Sequence, residues 1–218
     1  MTELFEFLQR GGLIMYPIAA FSLIALMVFI ERILALRTER VIPQQLCVHV
    51  RRKLNDDKPS EALALCEADN SSMAAILASG IRRHSRPRET IKEAFEEVGR
   101  LEVTYLNRFV ELLGTIAAVT PLIGLLGTVV GMIDVFRTVV EEVGVSAGAV
   151  NPGSLANGIW AALLTTAAGL SVAIPAYLGY RYLLARVDRL AIEMEEVSLS
   201  LLDEMATEHV ITKTIDPT

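Results

Sequence analysis

Three stretches of the chain carry no charged side chain: residues 11–30, 112–133 and 143–180, which are 20, 22 and 38 residues long. About 20 apolar residues in a helix cross a hydrocarbon core of roughly 30 Å. Lipid supplies no hydrogen-bond partner to a backbone, so such spans should be helical. The first span is placed over 11–30, with Pro17 near its first turn, where proline costs least. It is longer than a signal-peptide core, and only Arg10 precedes it, beside Glu3 and Glu6. It therefore reads as a retained transmembrane helix. The second span is 112–133. The third run is too long for one crossing, and Asn151-Pro152-Gly153-Ser154 is a turn signal. The third span is accordingly placed over 154–180, with Ser154 as its N-cap.

The charged segments between and beyond the spans also carry helical patterns. Pro59-Ser60-Glu61 opens a short amphipathic helix through Leu63, Leu65 and Cys66, and residues 73–77 suggest another. From Arg88, the stripe Ile91, Ala94, Phe95, Val98, Leu101, Tyr105 and Phe109 has the helical period. No breaker separates it from the second span, so one helix of over 40 residues is expected. Beyond the third span, Arg186, Val187, Leu190, Met194, Val197, Leu201 and Met205 form a heptad-like seam. The last stretch, 209–218, reads as frayed. The expected fold is an all-α membrane protein of three transmembrane helices with long cytoplasmic helical extensions. A single copy buries such seams poorly, so a homo-oligomeric bundle is expected.

Composition agrees with this and adds a direction. Hydrophobic residues make up 52% of the chain and charged residues 21%, and the mean hydropathy is +0.44. One soluble core is thereby excluded, as are a disordered chain and a disulfide scaffold. Of 20 basic residues, 14 fall in 31–111, one in 1–30, one in 134–153 and four in 181–218. The positive-inside rule puts 31–111 and 181–218 in the cytoplasm. The short 1–10 segment and the 134–153 loop then lie outside. Tyr16, Tyr177, Tyr180 and Tyr182 are candidate interfacial anchors.

Catalytic signals are missing. No phosphate loop, dinucleotide loop, nucleophile set or paired catalytic carboxylate stands out, so an enzyme is not expected, nor a cofactor. Cys47, Cys66, His49, His84 and His209 match no metal spacing, and the two cysteines read as core thiols. The basic cluster from Arg82 to Arg88 reads as a solvated loop near anionic lipid headgroups rather than a nucleic-acid site. Inside the spans, small residues recur at helical spacing. Gly124, Gly127 and Gly131 share one face of the second, and Gly158 and Gly169 lie on one face of the third. Helices in lipid associate through close packing at such positions. Thr128 and Thr166 place hydroxyls at mid-span. No ionisable side chain lies deep in any span; Glu31, Glu111 and Asp134 sit at the edges. A proton relay needs a titratable group at depth, so a second chain would have to carry it.

Residues 12–37 (GLIMYPIAAFSLIALMVFIERILALR), 120–132 (TPLIGLLGTVVGM) and 158–175 (GIWAALLTTAAGLSVAIP) resemble the MotA/TolQ/ExbB proton-channel family, most closely its ExbB-like three-span branch. The resemblance implies a bacterial inner-membrane stator, a homopentamer around the single-span helices of ExbD- or TolR-like subunits. Those helices carry the proton-binding aspartate, and the work passes to a TonB-like partner. It implies that Thr128 and Thr166 face that aspartate, with Thr165 an additional hydroxyl, and that Pro121 and Pro175 shape the helices. A TolQ-like or gliding-type motor, and a non-conducting scaffold, are the alternatives. One position departs from the pattern: many relatives have glutamate where this chain has Ala161.

Overall fold

A computed structural model describes residues 12–145 and 152–215, with side chains described as far as 141 and over 152–205. Among these residues there are seven α-helices and no strand: α1 (Met15–Ala35), α2 (Thr38–Val41), α3 (Gln44–Asn55), α4 (Pro59–Glu67), α5 (Ser72–Ile81), α6 (Arg88–Val145) and α7 (Pro152–Ile215). Three of them, α1, α6 and α7, are long and apolar enough to cross a membrane. The chain divides into two compact units, Met1–Glu31 with Phe109–Tyr182, and Arg32–Arg108 with Leu183–Thr218.

The first unit is apolar outside, and small residues line the middle of the contact between α6 and α7. Along α6, Val110, Leu113, Ala117, Thr120, Gly124 and Gly127 are buried; along α7, Ala162, Thr165, Gly169, Ala173, Ala176 and Gly179 are. Each set repeats every three or four residues, the spacing of one helix face. Leu122, Leu125, Leu126, Ile133, Trp160, Leu163, Ile174 and Leu178 point outward. That inversion of the soluble pattern is what lipid or a neighbouring copy rewards. The closest approach is at Gly124 and Gly169. A Cβ on Gly169 would lie 3.2 Å from Gly124 Cα and 3.0 Å from the Thr120 carbonyl oxygen. A Cβ on Gly124 would lie 3.0 Å from the Thr165 carbonyl oxygen. Only hydrogen fits at either place. Farther along, the Tyr180 ring covers Gly114, and Phe29 of α1 covers Gly179. Of the candidate interfacial tyrosines, Tyr180 is half-buried with its ring over Gly114, and Tyr16, Tyr177 and Tyr182 are exposed.

The second unit has a core of the soluble kind. α5 sits at its centre, with eight of its ten residues buried. Ten apolar residues are too few to cross a bilayer, so burial in protein is the outcome open to such a helix. Ser71 caps it by accepting the Ala74 amide at 3.2 Å. Leu46, Val50 and Leu54 of α3, Ile91 and Phe95 of α6, and Leu183, Val187, Leu190 and Met194 of α7 complete the core. Side chains of α7 tie its elements together. Arg186 donates to the Thr38 hydroxyl at 2.6 Å and to the Leu36 carbonyl at 3.3 Å. Arg51 pairs with Glu204 at 2.9 Å, and Arg88 with Asp203 at 2.7 Å. These exposed pairs fix register more than they stabilise.

Several sequence expectations change. α1 is displaced from 11–30 to Met15–Ala35 and takes in Glu31 and Arg32, because a helix ends on backbone geometry rather than at the first charge. α7 begins at Pro152, so Ser154 lies within its first turn and is not the N-cap. Proline at the first helical position loses no hydrogen bond. α7 also runs to Ile215, across most of the stretch read as frayed; residues 216–218 lie outside the described residues. The α6 stripe holds at Ile91, Ala94 and Phe95 and then moves. Leu101 and Tyr105 are 65% and 68% exposed, while Leu106 and Val110 are buried. In α4 the buried side chains are Ala62 and Cys66, not Leu63 and Leu65. α3 was not anticipated, its apolar positions being interrupted by Arg51, Arg52 and Lys53.

Burial of the Cys66 side chain pushes its thiol pKa up to about 12, and the neighbouring Cys47 adds to this. At pH 8 roughly one molecule in ten thousand would carry the thiolate. Iodoacetamide should therefore label Cys66 only after unfolding, as peptide mapping would read; rapid labelling of the native protein would contradict the burial. Two glycines should respond to alanine differently. At Gly80 the new Cβ meets the Phe95 ring, and the thermal midpoint in detergent should fall by an amount worth about 1–3 kcal/mol. At Gly99 the nearest atom is Ile76 Cδ1 at 4.0 Å, and alanine should be neutral or gain up to about 1 kcal/mol of helix propensity. At Gly124 the obstruction is backbone, so Gly124→Ala should cost at least as much as Gly80→Ala, read by the same melt.

Candidate functional site

The hydroxyls of the first unit gather where α6 and α7 come closest. A threonine buried among apolar groups needs an acceptor for its proton. Thr120 is fully buried, and its hydroxyl donates to the Ile116 carbonyl of its own helix at 2.6 Å. Thr165 is 3% exposed. Its hydroxyl donates to the Ala162 carbonyl at 2.7 Å and reaches the Gly124 carbonyl of α6 at 3.3 Å. Thr166 is half-buried and donates to that same Gly124 carbonyl at 2.9 Å. Thr128, also half-buried, donates to the Leu125 carbonyl at 2.7 Å. The Gly124 carbonyl therefore accepts hydroxyls from two consecutive residues of the facing helix, one α-helical turn before Thr128.

Glycine makes this possible. With no side chain at Gly124 and Gly169, α7 lies near enough for its threonines to reach an α6 carbonyl. The other glycines each face a defined neighbour: Gly127 faces the Thr165 side chain, Gly131 faces Ala162, and Gly158 faces Val135. Pro121 and Pro175 both lie inside continuous helices. Each lacks an amide hydrogen and so frees the carbonyl four residues earlier, at Ala117 and Ser171.

The three threonines named from the sequence are not equivalent. Thr165, treated there as an extra hydroxyl, is the one sealed between the helices. Thr128 and Thr166 keep part of their surface open to whatever covers this face. The role of the Gly124 carbonyl had no signal in the sequence, because backbone acceptors do not show there.

Next to this layer lies a cavity of about 360 Å³. Its walls come from α6, from α7 and from the residues leading into α1, and they include Asp134, Thr138, Ser154, Ala161 and Thr165. Gly127, Gly131 and Gly158 are also among its lining residues. The sequence placed Asp134 at a span edge but gave no sign that it borders a cavity. Among the described residues, no group of three or more His, Cys, Asp or Glu side chains could hold a metal.

Long apolar helices with a threonine layer at their closest approach are shared ground with known membrane proteins. The family model of the MotA/TolQ/ExbB proton channel family matches residues 68–196. That range contains the Gly124 carbonyl and all three threonines. The chain is 33% identical over 184 residues to an ExbB homologue of Methanothermobacter thermautotrophicus, a biopolymer transport protein, covering 84% of this chain and 63% of that protein. It is 28% identical over 199 residues to the biopolymer transport protein exbB1 of Vibrio cholerae, covering 89% and 85%. To the biopolymer transport protein ExbB-like 1 of Synechocystis it is 34% identical over 186 residues, covering 83% and 70%. The chain is a multi-pass membrane protein and belongs to the MotA/TolQ/ExbB proton channel family.

Proposed function

We propose that the chain is the ExbB-like subunit of a motor in a bacterial inner membrane, driven by inward proton flow, that energises transport through a TonB-like partner. The observation that carries this reading is the threonine layer in spans that hold no acid or base at that depth. A hydroxyl layer cannot by itself take up and release protons near neutral pH, since threonine does not titrate there. It can flank a group that does. In this reading a single-span ExbD- or TolR-like subunit supplies an aspartate that meets Thr128 and Thr166, the two threonines with surface left open. Five copies of the chain surround it, and their apolar outer faces meet lipid and one another.

The distribution of basic residues supports an orientation with residues 31–111 and the C-terminal segment in the cytoplasm, and the 134–153 loop on the periplasmic side. Aspartate protonation on the entry side and release on the other then turns the partner helices relative to the ring. Ala161 bears on how the proton path is lined, because no carboxylate of α7 can contribute at that position.

Thr128→Val and Thr166→Val keep shape and remove only the hydroxyl. Each should reduce energised transport in cells by about tenfold or more, with copurification of the small partner unchanged. Thr166→Ser should retain most activity. Full transport in both valine variants would remove the threonines from the proton path and favour a non-conducting scaffold, the reading that Ala161 supports. The mass of the complex purified with its co-encoded partner checks the number of copies.

A further inference from the structure

A groove of about 620 Å³ runs between α6 and α7 within the second unit. Its floor is the buried trio Ile76 of α5, Phe95 of α6 and Met194 of α7, and the half-buried Gly99, Val103 and Ala191 line its walls. Gly99 leaves room there: a Cβ at that position would meet only Ile76 Cδ1, at 4.0 Å. Lys92 and Arg100 stand on the α6 rim, each paired with Glu96, at 3.6 Å and 3.3 Å. The other side of the same helix carries the reverse shape. At about 100° per residue, Leu101 and Tyr105 stand roughly 200° around α6 from Gly99 and Val103. They are 65% and 68% exposed. Lipid does not explain that exposure. Leu101 precedes the second uncharged run by 11 residues. A helical rise of 1.5 Å per residue carries it roughly 16 Å along the axis from that run, past headgroups roughly 5–7 Å deep. Large apolar side chains on one flank of a water-facing helix mark a protein contact.

We infer that the groove seats Leu101 and Tyr105 of a second copy of this chain. A groove on one flank of α6 and apolar knobs on the opposite flank make a head-to-tail contact, the kind that closes into a ring. A ring axis along the helices keeps every copy at the same height. Leu101 and Tyr105 of one copy then arrive level with Gly99, Val103 and Ala191 of the next, where the walls carry no long side chain. Charge agrees with this occupant. Glu97 is exposed one turn before Leu101 and comes level with Lys92 and Arg100 on the receiving rim. The inference rests on the reading of several copies in one complex and supplies a surface on which they meet beyond the span; it does not depend on proton conduction.

The test uses the full chain with its co-encoded partner in native membranes, in a Cys47→Ser background. Leu101→Cys and Ala191→Cys are placed on two differently tagged copies and oxidised with copper phenanthroline. A disulfide-linked band carrying both tags is expected. Gly99→Leu fills the groove and should lower the yield of that band about tenfold, the thermal midpoint staying within a few degrees of the parent. If native mass shows several copies but the two-tag band is absent, or forms equally well with Gly99→Leu, the copies meet elsewhere and the inference is wrong while the multi-copy reading stands. Capture of the small partner by the Ala191→Cys copy, in place of the second copy, would also overturn it. A single copy in the native mass would remove the multi-copy reading and the groove contact with it.

Discussion

The contact on which the first unit depends is the meeting of two backbones at Gly124 and Gly169. Lipid does not push helices together as water does, so attraction has to come from atoms that touch. At this crossing the atoms are main-chain ones. The Thr120 and Thr165 carbonyls lie where a methyl group would have to go. The separation set there passes along both helices. It decides that Thr165 and Thr166 reach an α6 carbonyl, and that Gly127 can accept the Thr165 side chain against it. The close packing continues past this crossing, where Gly131 meets Ala162 and Gly158 meets Val135, and the cavity lies alongside these residues.

The second unit follows the opposite rule. There apolar side chains fill the core, most Arg and Glu are outside while Arg32 is buried and donates to the Leu106 carbonyl at 3.4 Å, and eight of the ten residues of α5 are buried. One chain thus uses two solvents, and α6 and α7 each carry both patterns in a single helix. The break in the α6 stripe marks the change. Up to Phe95 the buried positions follow the logic of a water-soluble core. From Ala117 to Gly127 the buried positions are Ala117, Thr120, Gly124 and Gly127, all small, and large side chains such as Leu122 and Leu125 turn outward.

Much of this was legible in the sequence. Uncharged runs announced three apolar helices, because the cost of a charge in hydrocarbon is large enough to dominate local preference. The continuity of α6 was legible because nothing between Arg88 and the second run breaks a helix. Leu101 and Tyr105 were misjudged for a physical reason. Their period is right, but period gives only a face, and the face that is buried changes with the surroundings. Ser154 misled because a good capping residue followed a better first-turn residue, Pro152. At the site, residue types were visible and their inequality was not. Which threonine is sealed depends on which side of α7 faces Gly124, and that is set by packing.

The direction of the hydroxyl bonds has one more consequence. Thr128, Thr165 and Thr166 each spend their only O–H on a backbone carbonyl. What the two half-buried ones, Thr128 and Thr166, can still present in that arrangement is oxygen lone pairs, which accept but do not donate. A carboxylate brought against such a wall finds no hydrogen, whereas the corresponding neutral acid, or a protonated water, can donate to it. In the proposed reading, Thr128 and Thr166 held in these bonds would accept from a protonated partner acid and offer nothing to its carboxylate.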